Sequence, residues 1–167
     1  RYLGGGRGIG LDIDPEKVRE ARSHGFPVSE FDALDLPSLP VVRFVTMLHF
    51  LEHLPSKEQA QKVVAKALDS VSDFVFIRQP FFDMDGQLAE LNLIPYWSRW
   101  AGHPNMMAMS DFDDVLTGYL QEGSVHSVEY FGLHPVTHSS DSCLHSLASP
   151  PEQHHFVEGV HPPKPYL

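Results

Sequence analysis

The hydrophobic period of the first eighty residues switches between strand and helix. Ile9, Leu11 and Ile13 alternate with Gly10 and Asp12 as a strand does, and from Pro15 the apolar positions space out as in a helix. Asp14 stands at the switch as an N-cap, Pro15 takes the first helical position, where a missing N–H costs nothing, and Gly25 is placed to end the helix. A second apolar run, Phe26 to Phe31, leads into FDALDLP. A third, Val41 to Phe50, is β-branched at Val41, Val42, Val45 and Thr46 and suits a strand covered on both faces of a parallel sheet. In SKEQAQKVVAKALDSV, Ser56 and Gln59 form a capping box, and a stripe through Ala60, Val63, Val64, Ala67 and Val71 predicts a helix that covers a sheet. DFVFIRQP then predicts a strand over Phe74 to Ile77, with Arg78 and Gln79 at its carboxyl edge.

Beyond that point the pattern loosens. Residues 81–109 hold two Trp, one Tyr and several Met without a sustained period. A helix is predicted from a Ser110 cap, with Phe112, Val115, Leu116 and Tyr119 on one side, to Gly123. SVEYFGLHPV and a short strand near Leu144 to Leu147 predict a closing antiparallel hairpin, and residues 148–167 form an irregular tail rich in Pro and His. Strands alternating with helices predict an α/β fold, and residues 1–167 suffice for a single domain with one core.

Two acids stand where such a fold binds ligands. Asp12 falls at the carboxyl end of a strand, the edge of an open α/β sheet where a carboxylate can accept two hydrogen bonds from a ribose diol. Asp32 follows the next strand; its carboxylate can accept from an exocyclic amine while the Ala33 N–H donates to the neighbouring ring nitrogen, a pairing that selects adenine. Capping by Asp12 and Asp14, and an ordinary turn at Asp32 to Asp35 before Pro37, are the plainer readings of the same residues.

Taken in order, GLDIDPEKVREAR, FDALDLP and VTMLHFLEHL resemble the second, third and fourth strands of class I S-adenosylmethionine-dependent methyltransferases, and DFVFIRQP resembles the fifth. The resemblance implies a doubly wound, mostly parallel Rossmann-like sheet closed by the C-terminal hairpin. It places Asp12, with Ile13, on the ribose of S-adenosylmethionine, Asp32 and Ala33 on the adenine, and Met47, Leu48 and His49 beside the methionine end. It makes residues 81–109 an acceptor-side insertion for a small molecule, with Arg78, Tyr96, Arg99, Trp100 and His103 as candidate contacts. A satellite core or a homodimer contact is the other use of those aromatic residues. An acceptor that must lose a proton would need a base, for which His49 and His103 are the candidates.

One feature departs from the family pattern. GGGRGIG runs straight into a strand, whereas a phosphate-binding glycine loop follows a strand and opens a helix. Gly4, Gly5, Gly6, Gly8 and Gly10 therefore read as a connection. The family's first strand and glycine loop are missing from the chain and are expected upstream of Arg1, because a sheet without a central strand leaves backbone unpaired. A catalytically degenerate member, using the fold only to bind, is the corresponding alternative.

A rival lies in the third motif, for His49-Phe-Leu-Glu52-His53 spells HxxEH, the inverted zinc-hydrolase signature. That motif needs a helix, so that both histidines share one face and Glu52 serves as base. The strand before His49 and the Pro55 after it predict loop and cap roles for Glu52 and His53 instead.

The chain carries 22 acidic against 12 basic residues, a formal charge of −10, which supplies no patch to neutralise phosphates and argues against nucleic-acid or anionic-membrane partners. A single Cys143 cannot form an internal disulfide, and there is no apolar stretch long enough to span a bilayer, so a reducing cytoplasm is the expected location. His154, His155 and His161 lie in the tail beside Pro162 and Pro163, and no metal site is assigned to them.

Overall fold

The structure is a computed structural model and describes residues 7–132, 141 and 143–149. Gly4 to Gly6 and the tail histidines His154, His155 and His161 lie outside them. The chain divides into two compact units, residues 1–46 with 62–76 and residues 47–61 with 77–167.

The first unit opens with β1 (Gly10–Asp12), α1 (Pro15–Ser23) and β2 (Val28–Glu30). The two strands pair in parallel with Gly10 opposite Val28 and Asp12 opposite Glu30. The helix starts where the sequence predicts, because the Asp14 carboxylate accepts from the N–H groups of Glu16 and Lys17 at 2.8 and 3.4 Å. It stops before Gly25, whose φ of 81° is a left-handed conformation that glycine adopts without a Cβ penalty. Only Val18 of this helix is buried.

β3 (Val42–Leu48), α2 (Lys57–Ser70) and β4 (Val71–Arg78) run through both units, and β3 pairs with β4. Within the first unit, Phe44 stacks on Phe74 with ring centres 5.1 Å apart, and Arg43 pairs with Asp73 at 2.6 Å. The predicted α2 stripe is buried at Ala60, Val63, Val64 and Ala67. Val71 is not part of it; the helix ends at Ser70, whose hydroxyl donates to the Lys66 and Pro37 carbonyls, and Val71 begins the strand. The strands are not covered on both faces: Leu11, Val42, Phe74 and Phe76 each remain more than 40% exposed.

The second unit adds α3 (Asp85–Glu90), β5 (Leu93–Pro95), α4 (Met109–Gln121) and β6 (Leu144–Ser146), with Leu51, Leu93, Met107 and Leu144 the most deeply buried of its larger apolar side chains. α4 begins one residue before Ser110. In place of the predicted Ser110 cap, the Asp111 carboxylate reaches back to the Ala108 N–H at 2.7 Å. Gly123, at φ 74°, follows its end. Lys57 pairs with Asp111 at 2.8 Å, and Gln61 donates to the Asp111 carbonyl.

The fold is of the α/β class, but two sequence expectations need correction. Instead of one mostly parallel sheet, the described strands lie in three two-stranded sheets. The closing hairpin is also different: β6 pairs antiparallel with β5, Leu93 opposite Ser146, while residues 124–132 form no strand and residues 133–140 lie outside the description. The partner was missed because Leu93-Ile94-Pro95 is all apolar and only three residues long, too short for any period to show. Among the described residues, no helix is long and apolar enough to cross a membrane.

Candidate functional site

Each unit carries one group of polar side chains held by the backbone around it. In the first, the parallel pairing of β1 and β2 continues past their ends, with the Phe31 N–H donating to the Asp12 carbonyl at 2.9 Å. Asp12 and Asp32 therefore stand at the same carboxyl edge, both half-buried. Their carboxylates are fixed alike. One oxygen of Asp12 accepts from the Asp14 N–H, and one oxygen of Asp32 accepts from the Leu34 N–H, each at 2.9 Å. The second oxygen of each, and the N–H of Ala33 at the head of the single turn Ala33–Asp35, make no hydrogen bond among the described residues. Ile13, between the two acids of the first turn, is 66% exposed. The turn-forming role and a remaining acceptor thus coexist in both carboxylates. An open apolar groove of about 450 Å³, lined by Gly8, Gly10, Phe26 and Val28 among others, lies at the opposite end of the two strands and includes neither acid.

The second group surrounds the turn that follows β3. Met47 is buried, Leu48 is 56% exposed, and His49 follows the strand with φ 49°, a left-handed conformation uncommon for a residue with a side chain. Leu51–His53 is a single 3₁₀ turn, not a helix, so His49 and His53 do not share a helical face and the inverted zinc-hydrolase geometry is absent. Glu52 is 1% exposed. The His49 Nδ1 donates to its Oε1 at 3.2 Å, and its Oε2 has no hydrogen-bond partner.

Residues of the 97–105 segment converge on this turn. Asn105, 2% exposed, donates from Nδ2 to the Leu51 carbonyl at 2.9 Å and from its main-chain N–H to the Glu52 carbonyl. The His53 Nδ1 donates to the Gly102 carbonyl at 2.7 Å, and the His103 Nδ1 donates to the Trp97 carbonyl at 2.9 Å. Because a carbonyl only accepts, Nδ1 of each ring carries a proton, and the neutral form of each ring has its lone pair on Nε2. Trp100 lies edge-on to His103 with ring centres 4.6 Å apart, and His53 to His103 at 5.0 Å. Burial is the main cause that holds His103 below the ordinary imidazole range, against the Trp97 carbonyl and the Glu52 charge, which favour the protonated form. A Cβ at Gly102 would stand 2.8 Å from the Trp100 ring and would displace it.

Of the remaining sequence candidates, Arg78 ends β4, exposed, with its carbonyl accepting from the His49 N–H at 2.8 Å. Gln79 turns inward and donates to the Met107 carbonyl at 2.7 Å. Tyr96 is half-buried against Trp97, and Trp97 donates to the Phe81 carbonyl, so these two build structure around the turn. The Arg99 side chain lies outside the described residues. The structure thus brings His103 and Trp100 to the turn that holds His49 and Glu52. Sequence reasoning missed Asn105, a lone amide before two Met residues that carries no motif, and it missed the burial of Glu52. No family model, no curated protein and no solved structure matches this chain.

Proposed function

We propose that this chain is an S-adenosylmethionine-dependent methyltransferase acting on a small-molecule acceptor. What carries the reading is the β1–α1–β2 unit. It presents two half-buried carboxylates at one carboxyl edge, each with one oxygen anchored by a backbone N–H and one left over, beside the Ala33 N–H. A ribose diol suits the remaining acceptor of Asp12. An adenine amine and its adjacent ring nitrogen suit the acceptor of Asp32 and the donor of Ala33. Wrong bases are rejected because they leave one of these groups unpaired. The exposed apolar side chains of Leu11 and Ile13 flank Asp12 and offer surface on which a base or ribose can rest. Met47, Leu48 and His49 belong to the other unit and add no geometry to this one.

The cosubstrate brings an already activated methyl group on a sulfonium. The protein's part is to hold donor and acceptor in line and to exclude water. A base is required only for an acceptor that must lose a proton.

Calorimetric titration with S-adenosylhomocysteine, which binds without turning over, tests the reading. Binding in the micromolar range is expected, weakened at least about tenfold by Asp12→Ala, since one charge-assisted hydrogen bond contributes about 1.5–3 kcal/mol. Absence of any binding to the wild-type chain would refute the cosubstrate assignment and leave a fold used for another purpose.

A further inference from the structure

We propose that Glu52, His53 and His103 bind a divalent transition ion of the zinc class, with at least one coordination position left for water or for an oxygen atom of a small ligand. One ligand-capable atom of each residue lies within 4.8 Å of the others. Ligands of a tetrahedral zinc ion at about 2.0–2.2 Å from the metal stand about 3.4 Å apart, so closing on the ion needs a separation to shorten by up to about 1.4 Å. The solvent-exposed His53 ring can supply that shift by rotation.

Two independent features point to a cation at this site. The first is Glu52, whose carboxylate is almost wholly removed from water while its Oε2 has no partner. An ionised carboxylate buried in this way costs several kcal/mol unless a cation or donors face it. His49 already serves Oε1 and leaves Oε2 as the orphan. The second feature is the pair of imidazoles. Each donates Nδ1–H to a main-chain carbonyl, Gly102 for His53 and Trp97 for His103, which fixes the tautomer with Nε2 free. A ring oriented by a carbonyl behind it and a lone pair in front is the arrangement that metal-bound histidines adopt.

The donor set decides the metal. Two imidazoles and one carboxylate suit zinc and its transition-metal neighbours, whereas magnesium prefers oxygen ligands throughout. Three protein ligands also leave the fourth position open, as sites that act on a bound ligand do. This site differs from the HxxEH hydrolase pattern in that Glu52 is a ligand and not a base, and His49 orients Glu52 without sharing the metal. The proposal does not depend on S-adenosylmethionine.

The test uses the whole chain, stripped with a chelator and titrated with zinc in competition with a chromophoric chelator, with cobalt added separately for its visible spectrum. We expect about one equivalent of zinc bound with a dissociation constant of about 1 µM or lower. Glu52→Gln and His53→Ala should each weaken it at least about 100-fold, more than the 10–100-fold typical of losing only an outer-shell partner. Cobalt should give a visible band in the wild type that both variants lose. His53 is exposed, so His53→Ala keeps the fold and decides the matter even where Glu52→Gln does not fold, as circular dichroism will show. A control replacing His154, His155 and His161 by Ala should bind zinc as the wild type does. The proposal is overturned by no zinc binding at micromolar concentration, by zinc binding that survives His53→Ala, by its loss in the tail variant, or by magnesium binding as tightly as zinc.

Discussion

Asn105→Asp changes one atom of a side chain that is 2% exposed and leaves its volume almost unchanged. The consequence is electrostatic, because Nδ2 donates at 2.9 Å to the Leu51 carbonyl and the carboxylate that replaces it can only repel that oxygen. Glu52, the next residue along, adds a second buried carboxylate. The new side chain avoids ionising by taking up a proton, after which its O–H can donate to Leu51 in place of the amide. Holding neutral at pH 7 a carboxyl with an ordinary pKa near 3.9 costs about 4 kcal/mol. The folded-state pKa of the new group is raised, so the variant's stability is fully present below about pH 4 and is lost as pH rises. At about 2–4 °C per kcal/mol for a chain of this size, the melting temperature should lie about 8–16 °C below wild type at pH 7 and within about 3 °C of it near pH 4. Differential scanning calorimetry of both proteins at the two pH values reads this directly. Equal melting temperatures at pH 7, or a deficit that does not change with pH, would show that Asn105 is not the buried donor that ties the 97–107 segment to the turn after β3.

The same arithmetic runs the other way at Asp111. Burial pushes its carboxyl up, but the Lys57 ammonium and the Ala108 N–H outweigh it and hold the group below the ordinary 3.8. Its contribution is therefore present above that value and lost as pH falls through the lowered one. Lys57 is half-exposed, so Lys57→Met should cost no more than about 1 kcal/mol at pH 7 and progressively less as pH falls below 3.8; a urea midpoint deficit that does not shrink on acidification would rule the pairing out. Gly102→Ala should push the Trp100 ring off His53 and His103, shifting tryptophan fluorescence to longer wavelength at a cost of about 1 kcal/mol. An unchanged emission spectrum would mean that the ring does not pack there.

Local chemistry made a good part of the chain legible. α1 was readable because its cap, its first-turn proline and its terminal glycine are all decided within a few residues, and Asp14 and Gly25 act as that reading requires. α2 was readable at Ala60, Val63, Val64 and Ala67 because burial of one face repeats with the helical period. The order strand, helix, strand also fixed the edge on which Asp12 and Asp32 stand, since a parallel pair joined by a helix puts both carboxyl ends together.

What the sequence could not carry was every feature that depends on distant partners. The strand facing β6 is β5, and nothing in three apolar residues says which segment will complete their hydrogen bonds. The turn after β3 looked like a loop with two charged residues. Only the folded chain buries Glu52, lays Asn105 across Leu51, and brings Gly102 to His53 from 49 residues away. The sequence by itself determined the caps, the helical face and the two acids at a strand edge, because each follows from backbone geometry over one or two turns. Tertiary structure alone decided which histidine meets which carbonyl and where a carboxylate is left without a partner, because burial and hydrogen-bond satisfaction are properties of contacts made across the chain.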